Sequence, residues 1–230
     1  MMKNALRLVP LIAIAACGGS SDATAPDAAG SCDPATVLPG GYRLIAMVST
    51  GAVSVTTTNG VTSGTIDATA GGVDNAADNP YIYVDLRNGT KVAINDIEAR
   101  TSTSWDVALK RSSLRSNGGD SGPGGRELAA VAGATLDQVT APPTSAFASD
   151  DFATTDCTLV STEIGEPMSA FGDWYDYDVD THVVTPRPEI FVLKRNNGSQ
   201  TAFRIKAYYG DPQAPMRGAF YAVEWKQLTQ

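Results

Sequence analysis

Alternation of apolar and polar side chains, broken by Asn-Gly steps, organises most of the chain. Trp105, Val107 and Leu109 alternate with Asp106, Ala108 and Lys110, the period-two pattern of a strand with one face on a core. This strand is predicted to run directly into a glycine-rich loop. Five glycines and a proline stand between Gly118 and Gly125, and they supply no side chains for a core. Upstream, Thr, Ser and Val alternate between Tyr42 and Val61 around Asn59-Gly60, a type I′ hairpin signal. Residues 67–80 read as a loop and 81–85 as a strand, turned at Asn88-Gly89 into residues 90–94. Two hairpins in series predict a meander.

Further on, residues 189–194 read as a strand, Asn197-Gly198 as its turn and 201–209 as the return strand, with Phe203, Ile205 and Ala207 on one face and Arg204 and Lys206 on the other. Ala219, Tyr221, Val223 and Trp225 line one face of a last strand. No long window carries a helical stripe. Residues 127–134 are the best candidate for a short helix, and 136–152, rich in Ala, Pro, Ser, Thr and Asp, read as irregular. The pattern predicts an all-β, mainly antiparallel fold with long loops and little helix.

The N-terminus changes the picture of where this fold resides. Lys3 and Arg7 precede an uncharged run from Leu8 to Ala16, and Cys17 follows Ile14-Ala15-Ala16. That run is too short for a membrane-spanning helix, which needs roughly 20 residues. It reads as a signal peptide, residues 1–16, ending in a lipobox. Acylation of Cys17 would hold the chain to a membrane by lipid alone. Gly18, not Asp, follows the cysteine, which points to the bacterial outer membrane. Residues 17–31 lack large apolar side chains after Cys17 and read as a flexible tether, leaving residues 32–230 as one β domain.

Removal of Lys3 and Arg7 would leave 15 basic against 25 acidic residues, a balance that excludes nucleic acid as the natural partner. Cys32 and Cys157 then remain. In an oxidising envelope such a pair either bridges or stays as two buried thiols, and the expectation is a bridge.

Three patterns carry candidate chemistry. Gly119-Asp120-Ser121-Gly122 looks like a serine-protease nucleophile motif, but the chain's one histidine, His182, follows it, whereas those enzymes order His, Asp, Ser; a structural turn is expected. Asp176, Asp178 and Asp180 match the start of a calcium loop, but Thr181 and Arg187 occupy positions that need Gly and Glu. Solvent-facing carboxylates are expected. His182 stands alone, and a multi-histidine metal site cannot be built within one chain.

Two stretches resemble the HmuY family of haem-binding lipoproteins. One is SWDVALKRSSLRSNGGDSGPGG, from Ser104. The other runs from Trp174 to Tyr209: an aromatic and acidic segment with His182, a hydrophobic strand, an Asn-Gly turn and a Tyr-Tyr strand end. The resemblance implies haem held between loops at one end of the β domain, with iron bound by two side chains, histidines in some members and methionines in others. With one histidine, the ligand set expected here is His182 with Met168, or Met168 with Met216, Met47 being expected inside a strand. Tyr175 or Tyr208 as tyrosinate is the fallback. Trp174, Tyr175, Tyr177, Tyr208 and Tyr209 would face the porphyrin, or else pack the core. The implied role is capture of haem for a TonB-dependent receptor, with no enzyme activity. The alternative is a lipid-anchored β domain that has lost the haem ligands and binds another small molecule or surface partner.

Overall fold

The computed structural model describes residues 32–69, 78–133, 135–141, 143, 146–162 and 165–229. The signal segment, Cys17 and the tether up to Ser31 lie outside the described residues.

Strands β1 (Val53–Thr58), β2 (Val61–Asp67), β7 (Glu127–Ala132), β10 (Glu189–Lys194), β11 (Gln200–Ala207) and β12 (Phe220–Leu228) form a six-stranded sheet in the order β1-β2-β12-β11-β10-β7. Strands β3 (Ile82–Asp85), β4 (Thr90–Val92), β5 (Val107–Lys110) and β6 (Ser113–Ser116) form a second sheet in the order β4-β3-β5-β6. A separate hairpin joins β8 (Tyr175–Asp178) to β9 (Val183–Pro186). All these pairings are antiparallel. Among the described residues, helix is confined to two four-residue pieces, α1 (Pro34–Val37) and α2 (Asp96–Ala99), and a few single 3₁₀ turns.

The two large sheets face each other across one core. Ile82, Val84, Val107, Leu109 and Leu114 of the smaller sheet cluster with Ile66, Leu128, Phe191, Phe203, Val223 and Trp225 of the larger one. Burial on this scale is the main stabilising term, at roughly 1.5–3 kcal/mol for each large apolar side chain. The tight turns follow the expected chemistry. Asn59 and Gly60 both take positive φ, 51° and 77°, as a type I′ turn requires.

The structure corrects several expectations. The hairpins β1–β2 and β3–β4 do not form one meander, because each pairs into a different sheet. Residues 127–132 form an edge strand, β7, paired with β10 along its whole length; an alanine-rich stretch takes the conformation its neighbour imposes. Strand β5 does not run straight into the glycine-rich loop. It first turns at Arg111, φ 50°, into β6, a turn that Arg-Ser does not advertise. Nor is β5 half-exposed: Asp106 and Lys110 are as buried as Val107 and Leu109. Trp105 packs with Tyr81, Tyr83 and Ala108 on the outer face, not with Val107 and Leu109. Met47 lies outside any strand and is 59% exposed.

That outer face is covered by the N-terminal segment, in which Cys32, Val37, Leu38 and Tyr42 pack with Phe152 and Ala153. A disulfide joins Cys32 to Cys157 across 125 residues and fixes this cover in place.

The glycine-rich loop is a polar knot. The Asp106 carboxylate accepts from Arg126 Nε at 2.9 Å, from Arg195 Nε and Nη2 at 3.0 and 2.6 Å, and from the Leu86 N–H at 3.0 Å. Asn117 donates to the carbonyls of Ser102 and Trp105 and accepts from the Gly124 N–H. Ser121 Oγ donates to buried Asp150 at 2.6 Å, while Asp120 accepts the N–H groups of Phe152 and Ala153. Glycine is needed for close approach: a Cβ on Gly119, φ 56°, would sit 2.0 Å from the Asp150 carbonyl oxygen.

Candidate functional site

The tip of the β5–β6 hairpin forms the floor of an open cleft of about 640 Å³, within the usual size of small-molecule sites. Lys110, Arg111 and Ser112 line it from this tip. The tip is pinned to the larger sheet: the Arg111 N–H donates to the Ala68 carbonyl at 3.3 Å, and the Tyr221 hydroxyl donates to the Arg111 carbonyl. Tyr208 and Tyr209 follow the end of β11, and Gly218 precedes β12. The β8–β9 hairpin supplies Tyr175, Tyr177, His182 and Val184, and Tyr42 and Glu166 close the remaining side.

Aromatic rings build the walls and the layer behind them. Tyr208 stands edge-on to Tyr209 and Tyr221, with centroids 5.0 and 5.5 Å apart. Trp174 packs against Tyr175 at 4.7 Å and Tyr221 at 5.5 Å. Such offset and edge-to-face contacts add to plain area burial. The Tyr209 hydroxyl accepts the Val184 N–H at 3.1 Å, which ties the β8–β9 hairpin to the end of β11. Burial pushes the Tyr208 hydroxyl up to about 12. The Tyr42 and Tyr175 hydroxyls are raised further, by burial first and then by the Glu166 carboxylate.

Of the residues singled out by sequence, His182, Tyr175, Tyr177, Tyr208 and Tyr209 meet in this cleft. His182 is exposed at the β8–β9 turn with φ 59°, and its Nδ1 shares a 2.6 Å hydrogen bond with the Tyr177 hydroxyl. Trp174 does not line the cleft. It is buried in the core, with its indole N–H donating to the Ser112 carbonyl at 2.9 Å, so it supports the floor from behind. Met168 and Met216 are also outside the lining. The Met168 N–H is held by the Val160 carbonyl at 2.9 Å, and Met216 projects from the turn before β12, 76% exposed and two residues from Gly218.

The acidic triplet faces solvent. Asp176 pairs with Arg187 at 2.8 Å, and Asp178 accepts the N–H groups of Asp180 and Thr181 within the turn. No cluster of three or more His, Cys, Asp or Glu suited to a metal occurs among the described residues. Sequence reasoning missed Tyr42, Lys110, Arg111, Ser112 and Glu166. Of these, Lys110 stands in the sequence only as a polar position of an alternating strand.

Chemically, the cleft offers one imidazole whose Nδ1 is already engaged, flat aromatic walls and two cationic side chains on its floor. An imidazole held at Nδ1 presents Nε2 as a ligand, the arrangement by which proteins fix the orientation of a metal-bound histidine. Flat aromatic rings, cationic side chains and an exposed imidazole in one cleft fit a planar, anionic ligand.

The profile of the HmuY protein family matches residues 77–220. No curated protein matches the chain. Among solved structures, the fold is similar to a Bacteroides vulgatus protein described as HmuY-like and haem-binding, at TM-score 0.54 and 16% identity, over 78% of this chain and 98% of that one. It is also similar to the apo HmuY analogue of Tannerella forsythia, at 0.51 and 16%, over 78% and 99%. A Bacteroides fragilis protein described as a lipoprotein matches at 0.52 and 15%, over 78% and 97%.

Proposed function

Because the chain belongs to the HmuY family, we propose that it is a haem-capturing lipoprotein of the bacterial outer membrane, anchored through Cys17, which passes haem to a TonB-dependent receptor. The observation that carries this reading is that the chain's one histidine lines the same cleft as the tyrosines of the second resembling stretch. Binding rather than catalysis is the role. Ser121, the residue of the protease-like motif, is committed to Asp150 in the polar knot.

In this reading His182 would hold the iron through Nε2, in the tautomer whose Nδ1–H donates to the Tyr177 oxygen and keeps the ring in one orientation. Haem supplies the iron and the flat apolar surface that the Tyr208 and Tyr209 walls bury. Burial raises the Tyr175 and Tyr208 hydroxyls above their ordinary range, which disfavours either tyrosinate as the second ligand. Neither Met168 nor Met216 lines the cleft, so a thioether second donor, which would raise the iron potential, requires one of their loops to move onto the ligand.

The test is a haem titration of the soluble domain followed by absorbance. The expected result is a Soret shift that saturates at one haem per chain. His182→Asn, which tolerates the positive φ, should weaken binding at least about tenfold, the loss of one good ligand or charge-assisted contact. Met168→Ala and Met216→Ala identify the thioether by their visible spectra. Absence of saturable binding by the wild type would turn the reading to a β domain of this fold that takes another small molecule or surface partner. For the anchor, Cys17→Ser should release the protein from membranes.

A further inference from the structure

The chain carries a formal net charge of −8, yet two cationic side chains line its cleft against one carboxylate, Glu166. Lys110 and Arg111 line the cleft from consecutive positions. Behind them stands Arg115, on the same face of β5–β6, since it pairs across the ladder with Ala108 as Ser113 pairs with Lys110. The Arg115 guanidinium lies 4.5 Å over the Tyr81 ring and 5.1 Å over Phe152, with the Lys110 ammonium 5.7 Å over that same Tyr81 ring. Arg115 is 94% buried in effect, at 6% exposure, and its Nη2 has no hydrogen-bond partner among the described residues.

The nearby carboxylates are hydrogen-bonded, and Glu166 lines the cleft itself, while Asp96 and Asp78 act on Lys110. Glu166 accepts from Ser112 Oγ at 2.5 Å. Asp96 accepts the N–H groups of Ile45 and Tyr81 and the Tyr83 hydroxyl. Asp78 lies 3.8 Å from Arg43. Neither Arg111 nor Arg115 forms an ion pair among the described residues. The field of cationic side chains lining a cleft with low-dielectric walls is focused rather than screened.

We propose that Lys110 and Arg111 form an anion subsite that selects ligands by their carboxylates, with Arg115 reinforcing the field from behind. This rests on the haem reading and deepens it: the macrocycle is held by its acid side chains on the floor as well as by its metal at His182. A diacid tetrapyrrole is therefore favoured over the same ring in neutral form. Burial first, opposed by Asp96 and aided by Arg115, pushes Lys110 down to about 8, so it is mostly ammonium near pH 7, and an incoming carboxylate favours that form further.

The experiment compares haem with haem dimethyl ester, which has the same ring and iron but no negative charge, by absorbance titration of the soluble domain near pH 7. Iron ligation is common to both, so the ratio of affinities isolates the carboxylates. The wild type should prefer the diacid by about 10- to 100-fold, the range of a charge-assisted hydrogen bond or two. Arg111→Gln, at an exposed position, and Lys110→Met should each cut that preference several-fold, with far-ultraviolet circular dichroism confirming the fold. Equal affinity of the wild type for diacid and ester overturns the subsite while leaving haem binding intact, as does a preference unchanged in both variants. Failure of both ligands to bind overturns the haem reading and this inference together.

Discussion

The glycine-rich knot and the aromatic cleft lie at opposite ends of one spectrum of polar satisfaction. In the knot, Asp106 takes two arginines and a backbone N–H, and Asp150 takes Ser121 Oγ, Ser116 Oγ and the N–H groups of Ser116 and Ala170. Every strong acceptor there is answered from within the chain. In the cleft, His182 is exposed, Arg111 has no ion pair among the described residues and the tyrosine rings face open space. Buried polar groups that satisfy each other add rigidity and specify one packing; groups left open to a cleft are those that an external ligand can answer. The segment that stood out most in the sequence thus serves the fold, and the less conspicuous hairpin tip beside it serves the site.

The comparison can be broken at four points, from the largest effect down. The Cys32–Cys157 disulfide underlies both regions, since it holds the segment that bears Tyr42. Replacing both cysteines with serine should cost about 4–5 kcal/mol in the chain-entropy picture for so long a loop, read as a fall in the urea midpoint.

Asp106→Asn strikes the knot alone and leaves two buried guanidiniums without their counter-charge, which should cost about 3–5 kcal/mol. Burial by itself would raise the Asp106 carboxyl, but hydrogen bonds and charge from Arg195 and then Arg126 outweigh it and hold the group below its ordinary range. Its stabilisation is present above the unfolded value of about 3.9 and is lost as pH falls through the lower folded value. The wild type should therefore lose stability in that acid window more steeply than Asp106→Asn, and parallel acid limbs in the two proteins would argue against the assignment.

Lys110→Met strikes the cleft floor and should have the opposite sign. With its folded pKa depressed to about 8 against about 10.4 unfolded, the ammonium is a burden on the empty fold. Wild-type stability should rise between pH 8 and the onset of tyrosine ionisation near 10, whereas Lys110→Met should show no such rise and should be more stable at pH 7 by on the order of 1 kcal/mol. The smallest effect is expected at the rim. His182→Asn should change stability by less than about 0.5 kcal/mol, as exposed substitutions usually do, while altering the haem spectrum. A large loss of stability there would make His182 a structural residue.

Strand periodicity, the Asn59-Gly60 and Asn197-Gly198 turns, the paucity of helix and the two stretches resembling HmuY proteins were all legible from local sequence. Each depends on contacts between residues near one another in the chain, where side-chain direction and turn chemistry act directly. Tyr175, Tyr177, His182, Tyr208 and Tyr209 were legible for the same reason, since one stretch supplies all five, whereas Tyr42 was not. What local sequence does not encode is which elements come together from afar. An alanine-rich segment became strand β7 because β10 offered it a ladder, and Asp106, a polar member of an alternating strand, was buried with Arg126 and with Arg195, 89 residues away, as its partners. The cleft floor was hidden in the same way. Lys110, Arg111, Tyr42 and Glu166 are scattered through the sequence, and only the packing of the hairpin tip against the larger sheet, with tyrosines closing around it, makes them one surface.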